Sequence, residues 1–198
     1  MSLREYIHSV NTNGEKVLSI YLTAGYPSPG RFVELALAVL ESGADMLEIG
    51  IPFSDPLADG PIIQDSSNAA ISAGVTLPLA LEFTKNIAEI SGKPVIPMTY
   101  MNPLVRFGME KFAKAYTESL ASGLIIPDLI QEEIRQFPGL LPLKNNLCGF
   151  LSPTTPESRI QQCDTEQWSF IYYVSMLGTT GRLGALTNQT AVEMQRVK

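Results

Sequence analysis

Histidine, cysteine and long apolar runs are scarce in this sequence of 198 residues. His8 is the only histidine, which excludes triads built on imidazole and metal sites made of several histidines. Cys148 and Cys163 are too few and too unpatterned for a disulfide framework or a metal site, so both are expected to be free thiols. Proton transfer, if the protein is an enzyme, then falls to carboxylates, tyrosines or lysines.

Positive charge and membrane signals are also lacking. The formal net charge of -6 argues against a nucleic-acid partner. No apolar run approaches the length of a spanning helix, and the N-terminus has acids where a signal peptide has an apolar core. We therefore expect a cytoplasmic enzyme with no membrane partner, whose residues 1–198 form a single domain with a sizeable core.

The most informative segment of the chain is LEIGIPFSDPLADGPIIQ, residues 47–64. Glu48 lies between Leu47 and Ile49 in a run typical of a buried strand, where an unpaired acid is rarely tolerated. Alternation predicts that Met46 and Glu48 share one face, while Leu47 and Ile49 share the other. Either Glu48 takes part in chemistry or it is a structural acid with a hidden partner, and the residues alone favour neither.

The loop after this predicted strand carries two further acids among three prolines. The prolines limit the conformations of the loop, so its acids can be oriented without a large ordering cost. Asp55 precedes a proline and Asp59 precedes a glycine, and both patterns are typical of turns. We favour the turn role for Asp55. Asp59 differs because Glu48 is close in sequence, and two neighbouring carboxylates can be tuned to different protonation states.

Short apolar runs alternate with helical patterns along the chain, the rhythm of parallel βα units. The predicted strands lie near residues 17–22, 46–50, 95–99, 124–126, 147–151 and 169–174. Helical patterns lie at residues 28–43, 77–94, 109–123, 131–137, 156–163 and 187–198. Ser28 is the predicted N-cap of the first of these helices, and Gly92 ends the second.

Six separate segments also resemble the tryptophan synthase alpha subunit family. Besides residues 47–64, they are YLTAGYP at 21–27, TYMNP at 99–103, GLIIPDL at 123–129, SPTTPESRI at 152–160 and YYVSMLGTTG at 172–181. The resemblance implies an α/β fold, a TIM (β/α)8 barrel, that cleaves indole-3-glycerol phosphate to indole and glyceraldehyde 3-phosphate without a cofactor. It also implies a pyridoxal-phosphate beta subunit as partner, in an α2β2 heterotetramer of tryptophan biosynthesis.

The resemblance assigns roles to particular residues. Glu48 matches the general acid-base of the family, and Asp59 matches the carboxylate that stabilises charge at the indole nitrogen. The residues implied to contact substrate are Tyr21, Tyr100, Leu151, Tyr172, Thr180 and Gly181. The residues implied to form the docking face for the beta subunit are Pro52, Asp55, Asn102 and Asp128.

The chain also departs from the family pattern. Leu120 stands where the family usually has glycine, so we expect local strain there. Ile130 follows Asp128 and Leu129 where the family usually has prolines, which alters the fourth loop of the docking face.

A barrel of this type typically has about 250 residues, and this chain is expected to supply about six of its eight βα units. The phosphate site would then be incomplete, which leaves a second hypothesis, a catalytically impaired docking module that binds and activates the beta subunit. A third, a different barrel enzyme acting on a phosphorylated sugar or indole, is disfavoured by the pairing of Glu48 with Asp59.

Overall fold

Parallel strands that follow one another in chain order form the framework of this fold. The computed structural model describes residues 1–129, 131–163 and 168–174. Its strands are β1 (Ser19–Thr23), β2 (Met46–Gly50), β3 (Val95–Met98), β4 (Gly149–Leu151) and β5 (Ile171–Tyr173). Each of them coincides with a strand predicted from the sequence, to within a few residues.

Strand pairing follows the order of the chain. β2 lies between β1 and β3, and β4 pairs with β5, all of them parallel. The strand predicted at residues 124–126 is reduced to two isolated bridges, Met98 with Ile125 and Leu124 with Leu147. One reason is Pro127, which follows directly and has no amide hydrogen to extend the ladder. These bridges connect β3 to the β4–β5 pair, so successive strands are hydrogen-bonded neighbours, as βα repeats require.

One helix precedes the first strand, and the other described helices lie between successive strands. They are α1 (Leu3–Thr12), α2 (Phe32–Glu41), α3 (Pro61–Ser72), α4 (Leu77–Ser91), α5 (Met101–Phe107), α6 (Met109–Glu118) and α7 (Glu157–Cys163), with 3-10 turns at Pro29–Arg31, Gln131–Gln136 and Pro138–Asn146. Gly92 ends α4 with a φ of 65°, as predicted. The Ser28 prediction was wrong in detail, because a 3-10 turn precedes α2 and the Ser28 side chain makes no capping hydrogen bond. None of the helices among the described residues is long and apolar enough to cross a membrane.

The first helix, α1, was not predicted, although the sequence carries a signal for it. The Ser2 amide donates to the Glu5 carboxylate at 2.7 Å, and the Glu5 amide donates to the Ser2 hydroxyl at 3.3 Å. This reciprocal capping box needs only a serine followed three residues later by a glutamate. The first turn of α1 then buries Leu3 in one cluster with Ile96 and Ile125.

The core has two parts, one on each face of the strands. Met46 packs in the smaller cluster with Leu3 and Ile96. Leu47 and Ile49 pack in the larger cluster between the strands and helices. The predicted alternation along residues 46–50 is therefore confirmed. Glu48, on the face of Met46, points with it to the inner side of the strand array.

Leu120, just beyond α6, has the positive φ that its position predicted, at 58°. Since a left-handed conformation costs a side-chain-bearing residue about 1–2 kcal/mol and Leu120 is 52% exposed, Leu120→Gly should raise the free energy of unfolding by about 0.5–1 kcal/mol. Thermal or urea unfolding measures this difference. The matched control is Ile90→Gly, on the exposed side of α4, which should lower the stability by about 1 kcal/mol. Equal destabilisation by both changes would contradict the strain at Leu120.

Candidate active site

Glu48 is buried in the middle of β2, with 8% of its surface exposed. The Ser19 hydroxyl of β1 donates a hydrogen bond to its Oε1 at 2.8 Å. Tyr21 is its partner in the β1–β2 register. Burial raises the pKa of Glu48, and the Ser19 hydrogen bond acts against that rise by favouring the ionised form. Ser19 is thus the one hydrogen-bond partner of the Glu48 side chain among the described residues, and the pKa of Glu48 is shifted towards the range useful for proton transfer.

Asp59, in the loop between β2 and α3, is also buried, with 6% of its surface exposed. The Tyr100 hydroxyl donates to its Oδ2 at 3.0 Å and accepts from the Ala58 amide at 3.2 Å. Burial raises the pKa of Asp59, and the Tyr100 hydrogen bond opposes that rise. Asp59 therefore resembles Glu48, since each is a buried carboxylate that accepts a hydrogen bond from a hydroxyl.

Tyr21 lies over Gly50, and the charges of both carboxylates act on its hydroxyl. Burial is the largest cause that raises the pKa of Tyr21 to about 12, and the negative charges of Asp59 and Glu48 act in the same direction. Its hydroxyl therefore stays protonated at neutral pH. Gly50 makes this placement possible, because a Cβ atom there would overlap the phenol oxygen of Tyr21.

Substitution of Gly50 by alanine should therefore displace the Tyr21 ring from its position over Gly50. The backbone φ of Gly50 is not one that requires glycine, so the fold should survive while the site loses its geometry. We expect a drop of about tenfold or more in turnover, since misplacement by about 1 Å is costly in an active site. Turnover, compared with that of the Gly30→Ala variant, measures the change, because a Cβ atom at Gly30 would meet no other atom and the backbone φ there does not require glycine. Normal turnover in Gly50→Ala would contradict the placement of Tyr21.

Of the other residues implied to contact substrate, the structure describes two, Tyr172 and Leu151. Tyr172 in β5 packs its ring on Phe150 at 5.6 Å, and burial followed by the charge of Glu48 raises its pKa. This places Tyr172 on the Glu48 side of the strands. Leu151 is 2% exposed and alternates along the strand with Phe150, which packs in the inner cluster. Thr180 and Gly181 lie outside the described residues.

The four residues implied for the docking face lie on loops after strands or in the turns that follow them. Asp55 is exposed and accepts a hydrogen bond from Ser54. Both oxygens of Asp128 accept from the Met101 amide, at 3.0 and 3.1 Å, which ties its loop to the start of α5. Asn102 in the first turn of α5 is exposed, and Pro52 is half-buried. Ile130 lies outside the described residues.

Comparisons with known proteins decide the family. The family model described as tryptophan synthase alpha chain matches residues 7–198. This chain belongs to that family. The tryptophan synthase alpha chain of Flavobacterium psychrophilum is 41% identical over 176 residues, which are 88% of this chain and 70% of that protein. That of Citrifermentans bemidjiense is 36% identical over 195 residues, which are 96% of this chain and 72% of that protein.

Solved structures agree with this family assignment. A structure of Mycobacterium tuberculosis tryptophan synthase matches with a TM-score of 0.86 and 31% identity, and the match covers 98% of this chain and 75% of that one. The predicted TIM-barrel class is thereby confirmed, and so is the role of an alpha subunit in tryptophan biosynthesis. The hypothesis of a docking module without catalysis is not favoured.

Two residues of the site were not identified from the sequence, Ser19 and Gly50. Ser19 precedes Tyr21 by two positions in β1, so period-two alternation places both on the face of Glu48. A serine on the inner face of an otherwise apolar strand was a usable signal. The same rule places Gly50 on the face of Glu48, but its contact with Tyr21 depends on how β1 pairs with β2.

The raised pKa values make the site unfavourable to stability at neutral pH. An acid whose pKa rises on folding stabilises the protein below its ordinary pKa of about 4.3, and this contribution is lost as the pH rises through the folded value. Glu48→Gln removes the buried charge, so this variant should unfold at a higher temperature than the unsubstituted protein at pH 8. The advantage should shrink as the pH falls. Thermal unfolding between pH 4.5 and 8 tests this, with the exposed Glu41→Gln as control, and a constant difference across the range would count against it.

Proposed function

We propose that this protein is the lyase of tryptophan synthase that cleaves indole-3-glycerol phosphate to indole and glyceraldehyde 3-phosphate. Membership of the alpha chain family supports the lyase class. The observation that carries the reaction is the pair of buried carboxylates, Glu48 and Asp59, each of which accepts a hydrogen bond from a hydroxyl. Two acids in such settings suit a reaction in which one moves protons and the other stabilises charge.

In the proposed mechanism Glu48 is the general acid-base. In its protonated form it delivers a proton to the ring carbon that bears the glycerol chain, which converts the indole to an indolenine. The bond between that carbon and the glycerol chain then breaks, and its electron pair returns to the ring. The adjacent hydroxyl loses its proton to the Glu48 carboxylate and becomes the aldehyde of glyceraldehyde 3-phosphate. Protons and electrons balance, and Glu48 ends the cycle protonated.

Asp59 supports the same step from the other side of the ring. Protonation of the ring carbon places positive charge on the indole nitrogen, and a carboxylate next to that nitrogen stabilises it. The hydrogen bond from Tyr100 favours the ionised form of Asp59 that this role needs. The protonated ring is itself the electron sink, so the proposal requires no cofactor and no metal ion.

The remaining substrate and partner assignments belong to the same proposal. Tyr21, Tyr100, Leu151 and Tyr172 would line the indole pocket, with Thr180 and Gly181 at the phosphate end. Pro52, Asp55, Asn102 and Asp128 would contact the beta subunit of an α2β2 tetramer. We also propose that residues 1–198 belong to one barrel domain and that the enzyme works in the cytoplasm.

The direct test is release of indole from indole-3-glycerol phosphate, assayed with and without a tryptophan synthase beta subunit. We expect indole and glyceraldehyde 3-phosphate in equal amounts, with faster release when the beta subunit is present. Absence of indole in both assays, from a protein shown by circular dichroism to be folded, would overturn the proposal. An increase in beta-subunit activity without any indole release would favour the docking module instead.

A further inference from the structure

We propose that Ser19 is a positioning residue for Glu48, which it holds on the inner face of β2 with one carboxylate oxygen left for the substrate. This inference rests on the proposed function, because it gives Ser19 a part in the reaction assigned to Glu48. Nothing in the family resemblance assigns Ser19 a role.

The geometry of the contact supports this role. Ser19 lies opposite Met46 in the β1–β2 register, so its side chain reaches diagonally to Glu48, two residues further along β2. The Ser19 hydroxyl donates to Oε1 at 2.8 Å. Oε2 accepts no hydrogen bond from any other residue that the structure describes. The carboxylate is thus fixed at one oxygen, and the other is available for proton transfer.

Loss of this bond has two separate consequences. A glutamate side chain has three rotatable bonds, and one polar tether on a rigid strand removes much of that freedom before substrate arrives. The same bond favours the ionised carboxylate. Without the Ser19 hydroxyl, Glu48 should therefore be less well oriented, and its pKa should rise further because the effect of burial is no longer opposed.

The ionisable groups around Glu48 allow the change in its pKa to be measured. Three of these groups are Tyr21 in β1, Cys148 next to β4 and Tyr172 in β5. Burial raises the pKa of each of them, and the negative charge of Glu48 raises it further. These groups stay neutral near pH 7. Asp59 is the second carboxylate of the site, and its own partner is Tyr100. A change at Ser19 leaves that bond in place, so Asp59 serves as an internal reference.

The experiment compares Ser19→Val with Ser19→Thr. Valine and threonine have nearly the same shape and both suit a strand, but only threonine keeps the hydroxyl. The pKa values of Glu48 and Asp59 are measured by carbon-13 NMR titration of the side-chain carboxyls, with the Glu48 signal assigned from Glu48→Gln. We expect a higher Glu48 pKa in Ser19→Val than in Ser19→Thr, with Asp59 titrating alike in both.

Kinetics of indole release supply the second readout. We expect kcat to fall about tenfold or more in Ser19→Val, with KM little changed, because Ser19 is not proposed to contact the substrate. The limb of the kcat profile that Glu48 governs should move to higher pH, and Ser19→Thr should restore both quantities. Equal Glu48 pKa values in the two variants would overturn this inference even if the protein is an active lyase. Absence of indole release from the unsubstituted protein would overturn the proposed function, whereas the titration does not depend on turnover.

Discussion

Replacement of Glu48 by glutamine is expected to lower indole release by about 10² or more while the fold stays intact. The amide has nearly the same shape as the carboxyl, and it can still accept the hydrogen bond from Ser19. It cannot give a proton to the indole ring or take one from the glycerol hydroxyl. The measurement is kcat for indole release, with circular dichroism and thermal unfolding as checks on the fold.

The matched control is Glu41→Gln, at the exposed end of α2, which should have normal turnover. The Glu48 variant should also keep its affinity for indole-3-glycerol phosphate to within a few-fold, because the substitution removes a chemical function and not a wall of the pocket. Turnover close to normal in Glu48→Gln would remove the general acid-base role from this residue. Glu48 would then be a structural acid, held by its hydrogen bond from Ser19.

Replacement of Asp59 by asparagine is expected to lower kcat by about 10² and to change KM far less. The charge that Asp59 is proposed to stabilise develops on the indole nitrogen as the ring is protonated, so it is larger in the transition state than in the bound substrate. Asparagine can still accept the hydrogen bond from Tyr100, so the position of the side chain should be preserved. Steady-state kinetics separates the two quantities.

Asp55→Asn is the control for this variant, because Asp55 lies in the same loop but is exposed. It should leave the intrinsic kcat unchanged when the beta subunit is absent. A variant of Asp59 with raised KM and normal kcat would make Asp59 a binding residue only.

Residues 46–50 show what could be predicted from the sequence. The alternation of Met46, Leu47, Glu48 and Ile49 defined a strand with two distinct faces, and the structure confirms its bounds and its two-sided packing. This succeeded because a strand has a period of two, which any five consecutive residues display. Other local signals were present but unused, among them the capping box of α1 and the Gly60–Pro61 start of α3.

The two aspartates of the loop after β2 show what the neighbouring residues in the sequence could not predict. Both stand in sequence patterns typical of turns, yet Asp55 is exposed and Asp59 is buried against Tyr100. The difference depends on where β3 delivers Tyr100, which is 41 positions away from Asp59 along the chain. Turn statistics describe neighbouring residues and carry no information about that encounter.

The sequence by itself determined the strand that carries Glu48, the alternation of helices and strands, and the family to which the chain belongs. The tertiary structure alone decided what each acid contacts, Ser19 for Glu48 and Tyr100 for Asp59, and it placed Tyr21 over Gly50. The physical reason is the separation along the chain between the residues that interact. Faces and caps follow from periodicities of a few residues, whereas the partners of a buried carboxylate depend on the register of parallel strands that are joined through helices and lie far apart in sequence.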